Sequence, residues 1–205
     1  MITIVDYNAG NLKSVKRACD AVGIHSQLSA DPEVVSRAAK LIFPGVGAAA
    51  SAMQTLNQTG LGEAIRTAHQ RGVPILGICL GAQIILERSE EGNTPTLGIL
   101  PGETRRFKLA DPRLKIPHMG WNQVQVEKPH PLLSGLTPGD EFYFVHSYFP
   151  APSAQSDVYG SADYGGKFTC ALGRGNLFAT QFHPEKSGQL GLALLKRFAG
   201  WEGSP

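Results

Sequence analysis

Cys79 stands midway between two glycines in Gly77-Ile-Cys79-Leu-Gly81, after an apolar run that starts at Pro74 and before the helical run Ala82 to Glu87. Strand, sharp turn and helix in that order make a nucleophile elbow. The nucleophile sits strained at the strand tip, and the glycines let strand and helix approach without Cβ clashes. The following helix points its positive end at the sulfur, which favours the thiolate, the attacking form. A buried structural cysteine on a Gly-rich turn fits the same spacing, because the motif is short.

A cysteine nucleophile needs a base. Of His25, His69, His118, His130, His146 and His183, the last is the best placed. It follows an apolar strand at Leu177 to Gln181 and precedes Pro184, which pushes it into the extended region. In extended backbone, residues i and i+2 point the same way, so Glu185 can lie beside the imidazole and orient it. Cys79, His183 and Glu185 are thus a candidate triad. The backbone N–H of Leu80 is the expected first donor to an oxyanion. Gly45-Val46-Gly47, closing another strand at the same edge, can supply a second if its glycines allow a peptide flip, and it fits a plain structural turn equally well. Gln83, one turn along from Cys79, can hydrogen-bond a polar substrate or simply sit on the helix surface. Trp121 reads equally as core or as an anchor on a partner surface. Gly10-Asn-Leu-Lys13-Ser14 lacks the glycine and the preceding spacing of a phosphate loop, so nucleotide binding is not expected there.

The elements that would carry these residues alternate in the first half. Strands are expected at Ile2 to Val5, Ile24 to Ser29, Lys40 to Phe43 and Val73 to Ile78, with helices after Asn11, after Asp31-Pro32, at Ala48 to Leu56 and at Leu61 to Arg71. Asn11 is the expected cap of the first helix, on which Leu12, Val15, Cys19 and Val22 repeat at helical spacing; Cys19 therefore belongs to the core. Strands apolar on both faces belong in a covered parallel sheet, and such sheets collect ligands beyond the carboxyl ends of their strands. From about Thr104 the pattern changes to short strands at Trp121 to Val126, Glu141 to Val145, Val158 to Ala162, Phe168 to Gly173 and Leu177 to Gln181, read as antiparallel additions. A last helix carries the stripe Leu190, Leu194, Leu195 and Phe198. Residues 111–117 and 150–152, both proline-bounded or proline-rich, are the expected exposed loops. The fold class expected is α/β: an open, mostly parallel twisted sheet with antiparallel additions in the second half and helices on both faces, in a single domain over residues 1–205.

Composition narrows the functions. The chain has 205 residues, 42% hydrophobic and 18% charged, the mixture of an ordinary globular domain. A net charge of +2 without a basic cluster speaks against nucleic acid and anionic membrane surfaces as partners. The N-terminus lacks the basic and apolar stretches of a signal peptide, and the apolar run from Pro74 to Leu86 is too short and glycine-interrupted for a membrane span; the cytoplasm is the expected compartment. Three cysteines without CxxC spacing argue against a disulfide framework and against zinc, and no cofactor or metal is expected.

The block Gly77-Ile-Cys-Leu-Gly-Ala-Gln83 together with His183-Pro-Glu185 resembles the class I glutamine amidotransferases, and the resemblance covers essentially the whole chain. Five separated blocks look like one branch of that family: Asp6-Tyr-Asn-Ala-Gly-Asn11, Pro44-Gly-Val-Gly47, Pro117-His-Met-Gly-Trp-Asn122, Tyr143-Phe-Val-His-Ser-Tyr148 and Phe182-His-Pro-Glu-Lys-Ser187. The resemblance implies hydrolysis of glutamine through a thioester on Cys79, with His183 shuttling protons and Glu185 orienting it. It implies delivery of the ammonia to a separate (β/α)8-barrel cyclase subunit in a heterodimer. There imidazole glycerol phosphate would be made for histidine synthesis, together with an aminoimidazole carboxamide ribonucleotide. By matching positions, the resemblance implies that Gly45, Val46, Gly47, Leu80 and Gln83 contact glutamine or its oxyanion, and that the backbone at Ser147 and Tyr148 holds its amino-acid end. It also places Asn11, Trp121, Tyr143 and Lys186 toward the cyclase. A glutaminase of another synthase, of the pyridoxal phosphate or anthranilate type, shares elbow and triad, but the blocks around Trp121 and Lys186 speak against it. A non-catalytic α/β binding subunit and a cysteine peptidase are the alternatives from other classes.

Overall fold

A computed structural model describes residues 1–204. Its first half runs β1 (Ile2–Val5), α1 (Leu12–Ala21), β2 (Ser26–Ser29), α2 (Pro32–Ser36), β3 (Leu41–Gly45), α3 (Ala49–Thr59), α4 (Leu61–Gln70), β4 (Ile75–Cys79) and α5 (Leu80–Ile84). Consecutive strand residues point to opposite faces. Ile2, Ile4, Ile42, Leu76 and Ile78 face a core shared with Leu12 and Val15 of α1, whereas Val5, Leu41, Phe43 and Ile75 face a second core with Met53 and Leu56 of α3 and Leu61 and Ile65 of α4. A strand buried on both sides has no polar face to show, which is why β1, β3 and β4 read as continuous apolar runs.

The second half runs β5 (Arg88–Ser89), β6 (Thr94–Pro95), β7 (Gly102–Arg106), β8 (His118–Gln123), β9 (Gln125–Val126), β10 (Glu141–His146), β11 (Tyr148–Pro152), β12 (Val158–Asp163), β13 (Lys167–Arg174), β14 (Leu177–Thr180) and α6 (Gly188–Gly200). The main sheet has the order β2-β1-β3-β4-β14-β13-β12-β9; the strands from β2 to β14 are parallel, and β13, β12 and β9 are added antiparallel. The expected α/β class with antiparallel additions is the observed one. Not all the short strands join that sheet, however. β8 pairs only with β10, and β11, β7, β5 and β6 form a separate small sheet. Among the described residues no helix is long and apolar enough to cross a membrane.

Four local expectations differ, each for a physical reason. β2 begins at Ser26 because the N–H groups of Gly23 and Ile24 turn back to close α1 on the carbonyls of Asp20 and Cys19. Asn11 does not cap α1 with its side chain, which is spent on Glu185. The helix after Cys79 starts at once, at Leu80, and ends at Ile84: the Glu87 N–H turns away to the Gly102 carbonyl, and the Gln83 carbonyl that a helix through Glu87 would use accepts from the Leu86 N–H and the Thr104 hydroxyl instead. Residues 150–152 are not an exposed loop but part of β11, paired with Gly102–Thr104 of β7. Residues 111–117 do lie outside regular structure.

Candidate active site

The chain order reverses about β1, which has β2 on one side and β3 on the other, and the loops beyond the carboxyl ends of β1, β3, β4 and β14 share one edge. Gly45 of β3 lies opposite Cys79 of β4. On the other side of β4, Ala179 and Thr180 of β14 lie opposite Gly77 and Ile78. Insertion of β14 beside β4 thus brings residues 181–185 to Cys79 from a hundred positions away.

Cys79 has φ +54° and ψ −108°, in the region that side chains avoid, and α5 begins at the next residue. The two glycines make this possible. A Cβ on Gly81 would stand 2.0 Å from the carbonyl oxygen of Phe43, and one on Gly77 3.0 Å from the Cβ of Ala179. The elbow expected from Gly77-Ile-Cys79-Leu-Gly81 is therefore present. Its helix has only five residues, so what faces the sulfur is the first-turn N–H groups, Leu80 foremost, rather than a long macrodipole.

His183 is buried, and its Nδ1 lies 2.7 Å from Glu185 Oε1. The pairing arises differently from the extended geometry expected. His183 itself is extended, but Glu185 sits in a single 3₁₀ turn, Pro184–Lys186, that folds it back onto the ring. The turn is anchored by Ser187, whose hydroxyl donates to the His183 carbonyl and accepts from the Tyr143 N–H, and by the His183 N–H, which donates to the Tyr143 carbonyl. Burial alone would push the imidazole pKa down; the Cys79 thiolate and the Glu185 carboxylate outweigh it and raise it to about 10.

A cavity of about 330 Å³ opens above these groups, lined by Cys79, His183, Leu80, Gln83, Val46, Gly47, Val145, His146, Ser147, Tyr148, Pro117 and Glu91. Of the residues expected to contact substrate, all but Gly45 line it. Gly45 is buried instead under the site, where a Cβ would meet the Tyr7 hydroxyl at 2.1 Å and the Leu80 Cβ at 2.9 Å. Gly47, with φ +95° and open space around it, is the free half of that loop. Gln83 is not on the surface. Both N–H bonds of its amide are taken, by the carbonyl of Tyr148 and by Gln181 Oε1, each at 2.9 Å, which leaves only its oxygen for a ligand. The carbonyls of Ser147 and Tyr148 are likewise engaged, by the Phe107 N–H and by His146 and Gln83.

Sequence reasoning missed Glu91, His146 and Gln181. Among the described residues Glu91 is the sole carboxylate lining the cavity, and it also accepts from the Ala49 N–H at 2.7 Å. His146 Nδ1 lies 2.8 Å from the Tyr148 carbonyl and its Nε2 2.9 Å from Nδ1 of His118; burial lowers both pKa values, to about 3 for His146 and about 4 for His118, so the pair is neutral. Gln181 directs its Nε2 at the Cys79 sulfur, 3.6 Å away. Of the three only His146 lies in one of the quoted blocks, Tyr143 to Tyr148; Glu91 sits in a short 3₁₀ turn and Gln181 just beyond β14.

The four positions expected toward a partner cluster behind the triad. Trp121 and Tyr143 are cross-strand neighbours with rings 6.2 Å apart, Lys186 Nζ stands 5.7 Å from the Tyr143 ring centre, and Asn11 donates its amide to Glu185 Oε1. Trp121 is 54% exposed and Met119, two residues before it, 62%, so the tryptophan is not core.

The model of the family described as glutamine amidotransferase class-I matches residues 3–199. The chain belongs to this family. Among glutamine amidotransferases it is similar to the imidazole glycerol phosphate synthase subunit HisH of Aromatoleum aromaticum, at 49% identity over 98% of each chain. It is also similar to the protein of the same name from Nitratidesulfovibrio vulgaris, at 50% identity over 97% of this chain and 95% of the relative. A solved structure titled as that of a glutamine amidotransferase shares the fold with a TM-score of 0.75, at 20% identity, over 98% of this chain and all of the other.

Proposed function

We infer that the chain is the glutaminase subunit of an imidazole glycerol phosphate synthase, hydrolysing glutamine to glutamate and ammonia and passing the ammonia to a (β/α)8-barrel cyclase subunit. The observation that carries the chemistry is Cys79 at the strained elbow, with His183, paired to Glu185, lining the same cavity. In this reading the Cys79 thiolate attacks the side-chain carbonyl of glutamine, and the oxyanion meets the Leu80 N–H and the Val46–Gly47 peptide. His183, protonated at neutral pH, gives its proton to the leaving ammonia; a thioester remains on the sulfur. Water, deprotonated by the now neutral His183, releases glutamate. Glu91 supplies the negative charge an α-ammonium needs, and the Gln83 oxygen supplies an acceptor.

Ammonia released into neutral water is protonated and loses its nucleophilicity, so the release should face an acceptor site. Exposed Met119, Trp121 and Lys186, gathered about half-buried Tyr143 next to the turn that carries His183 and Glu185, support a partner on that side. The cytoplasm is the proposed compartment, where an unpaired catalytic thiol stays reduced. The test is glutamate release by the purified chain, alone and with the cyclase, with and without the cyclase's nucleotide ligand. Release confined to the liganded mixture and lost in Cys79→Ala is expected; fast hydrolysis by the chain alone would contradict the coupling, and none under any condition would contradict the triad.

A further inference from the structure

Beside the triad, one side chain touches the nucleophile from below. Gln181 is completely buried and does not line the cavity, so it cannot reach a substrate, yet its amide nitrogen lies 3.6 Å from the Cys79 sulfur. The orientation of that amide is dictated by its neighbours. The Tyr148 carbonyl can only accept, so Gln83 must present its NH₂ there; the same nitrogen lies 2.9 Å from Gln181, which must therefore answer with Oε1 and turn its own NH₂ to the sulfur. The Tyr148 carbonyl is held in turn by His146, His146 by His118, and His118 Nε2 by Asn122 Nδ2 at 3.2 Å. With both imidazoles neutral, one arrangement satisfies every link: Asn122 donates to His118, His118 to His146, and His146 to the carbonyl.

We propose that Gln181 is the positioning residue of the nucleophile, an amide locked by Gln83 that donates an N–H to the Cys79 sulfur and holds it at the strand tip. This rests on Cys79 being the nucleophile. A donor to the thiolate acts in two opposed ways. It enlarges the thiolate fraction tenfold per unit, while it lowers the nucleophilicity of that thiolate by only about 0.4–0.5 of a decade per unit, so the donor speeds attack wherever the thiol is mostly protonated. The other titratable groups about the sulfur are Tyr7, His183, Glu185, Glu91 and His146, and substitution at 181 leaves those side chains in place.

The test is the pH profile of iodoacetamide alkylation at Cys79, read by mass spectrometry in the full chain, with Cys19 and Cys170 as internal references. Gln181→Met keeps the length and removes the donor. Gln181→Glu keeps the acceptor for Gln83 but faces the sulfur with a carboxyl group. The half-maximal pH should rise in Gln181→Met and rise further in Gln181→Glu, with the rate at pH values below the midpoint falling about threefold for each unit of rise. In the complex with the cyclase, kcat for glutamine should fall while KM moves little. Each variant decides alone if the other fails to fold. Profiles that superimpose on the wild type would overturn the proposal, as would a downward shift. Failure of wild-type Cys79 to react ahead of Cys19 and Cys170 would instead remove the nucleophile reading itself.

Discussion

Glu185 Oε1 takes two donors at once, His183 Nδ1 and the Asn11 amide, while its buried Oε2 has no partner. A buried carboxylate held on one side only is costly unless a cation faces it, and protonated His183 is that cation. The raised imidazole pKa has a definite sign in stability. Protonated His183 contributes fully below its ordinary value near 6.5, and the contribution is lost as pH rises through about 10. Because the Cys79 thiolate leads the causes that raise it, Cys79→Ala should lower the His183 pKa well below 10, read from its imidazole resonances by NMR; an unchanged titration would show that Glu185 alone sustains the charge. Tyr7 makes the opposite case. Its hydroxyl is buried beside Gly45 without a partner, and burial together with the Cys79 thiolate holds the phenol far above its usual range. Tyr7→Phe should therefore raise unfolding stability by about 1 kcal/mol in urea titrations, since it removes an unsatisfied polar group. A loss of that size would mean the hydroxyl has a partner.

β3, β4 and α5 meet more closely than side chains allow, and the elbow depends on it. The Phe43 carbonyl occupies the place of a Gly81 Cβ, and the obstacle is backbone, which cannot swing away. Gly81→Ala should cost about 3 kcal/mol, the upper part of the usual overpacking range, and should slow Cys79 alkylation because the strand and helix must part. Equal stability with wild type in denaturant would show that the two elements slide apart freely. Gly47→Ala offers the contrast. Open space surrounds that Cα, so its penalty is the positive φ alone, and it should fall on the oxyanion loop rather than on the sheet.

At the scale of the molecule, one half-exposed face of β8 and β10 leads to the turn that carries His183 and Glu185. Tyr143 pairs with Trp121 across the strands, and its N–H and carbonyl hold Ser187 and His183 in the catalytic turn. A load on the tryptophan thus bears on the residue next to the base. Trp121→Ala should leave the unfolding midpoint nearly unchanged, since the ring is more than half exposed, and should weaken association with the partner subunit by about 2 kcal/mol, roughly thirtyfold in Kd by calorimetry. An unchanged Kd would move the interface elsewhere.

The elbow, the base and the parallel half of the sheet were legible in the sequence because their causes are local. Glycines two places either side of Cys79 leave one backbone path, Pro184 constrains His183, and doubly buried strands cannot avoid being apolar. The antiparallel half was only partly legible. Whether β8 and β10 join the main sheet or stand apart depends on pairing over long separations, to which local pattern is blind. The surroundings of the sulfur were less legible still. Glu91 and Gln181 carry no motif of their own, His146 was marked only as part of the block Tyr143 to Tyr148, and only the seating of β14 against β4, with β11 laid over α5, turns two glutamines and a pair of histidines into one hydrogen-bonded line ending at Cys79. Residue types and spacing determined which atoms could do the chemistry. The tertiary structure decided which buried groups would hold them, because a hydrogen bond needs its partners within about 3 Å and the chain brings those partners from every part of its length.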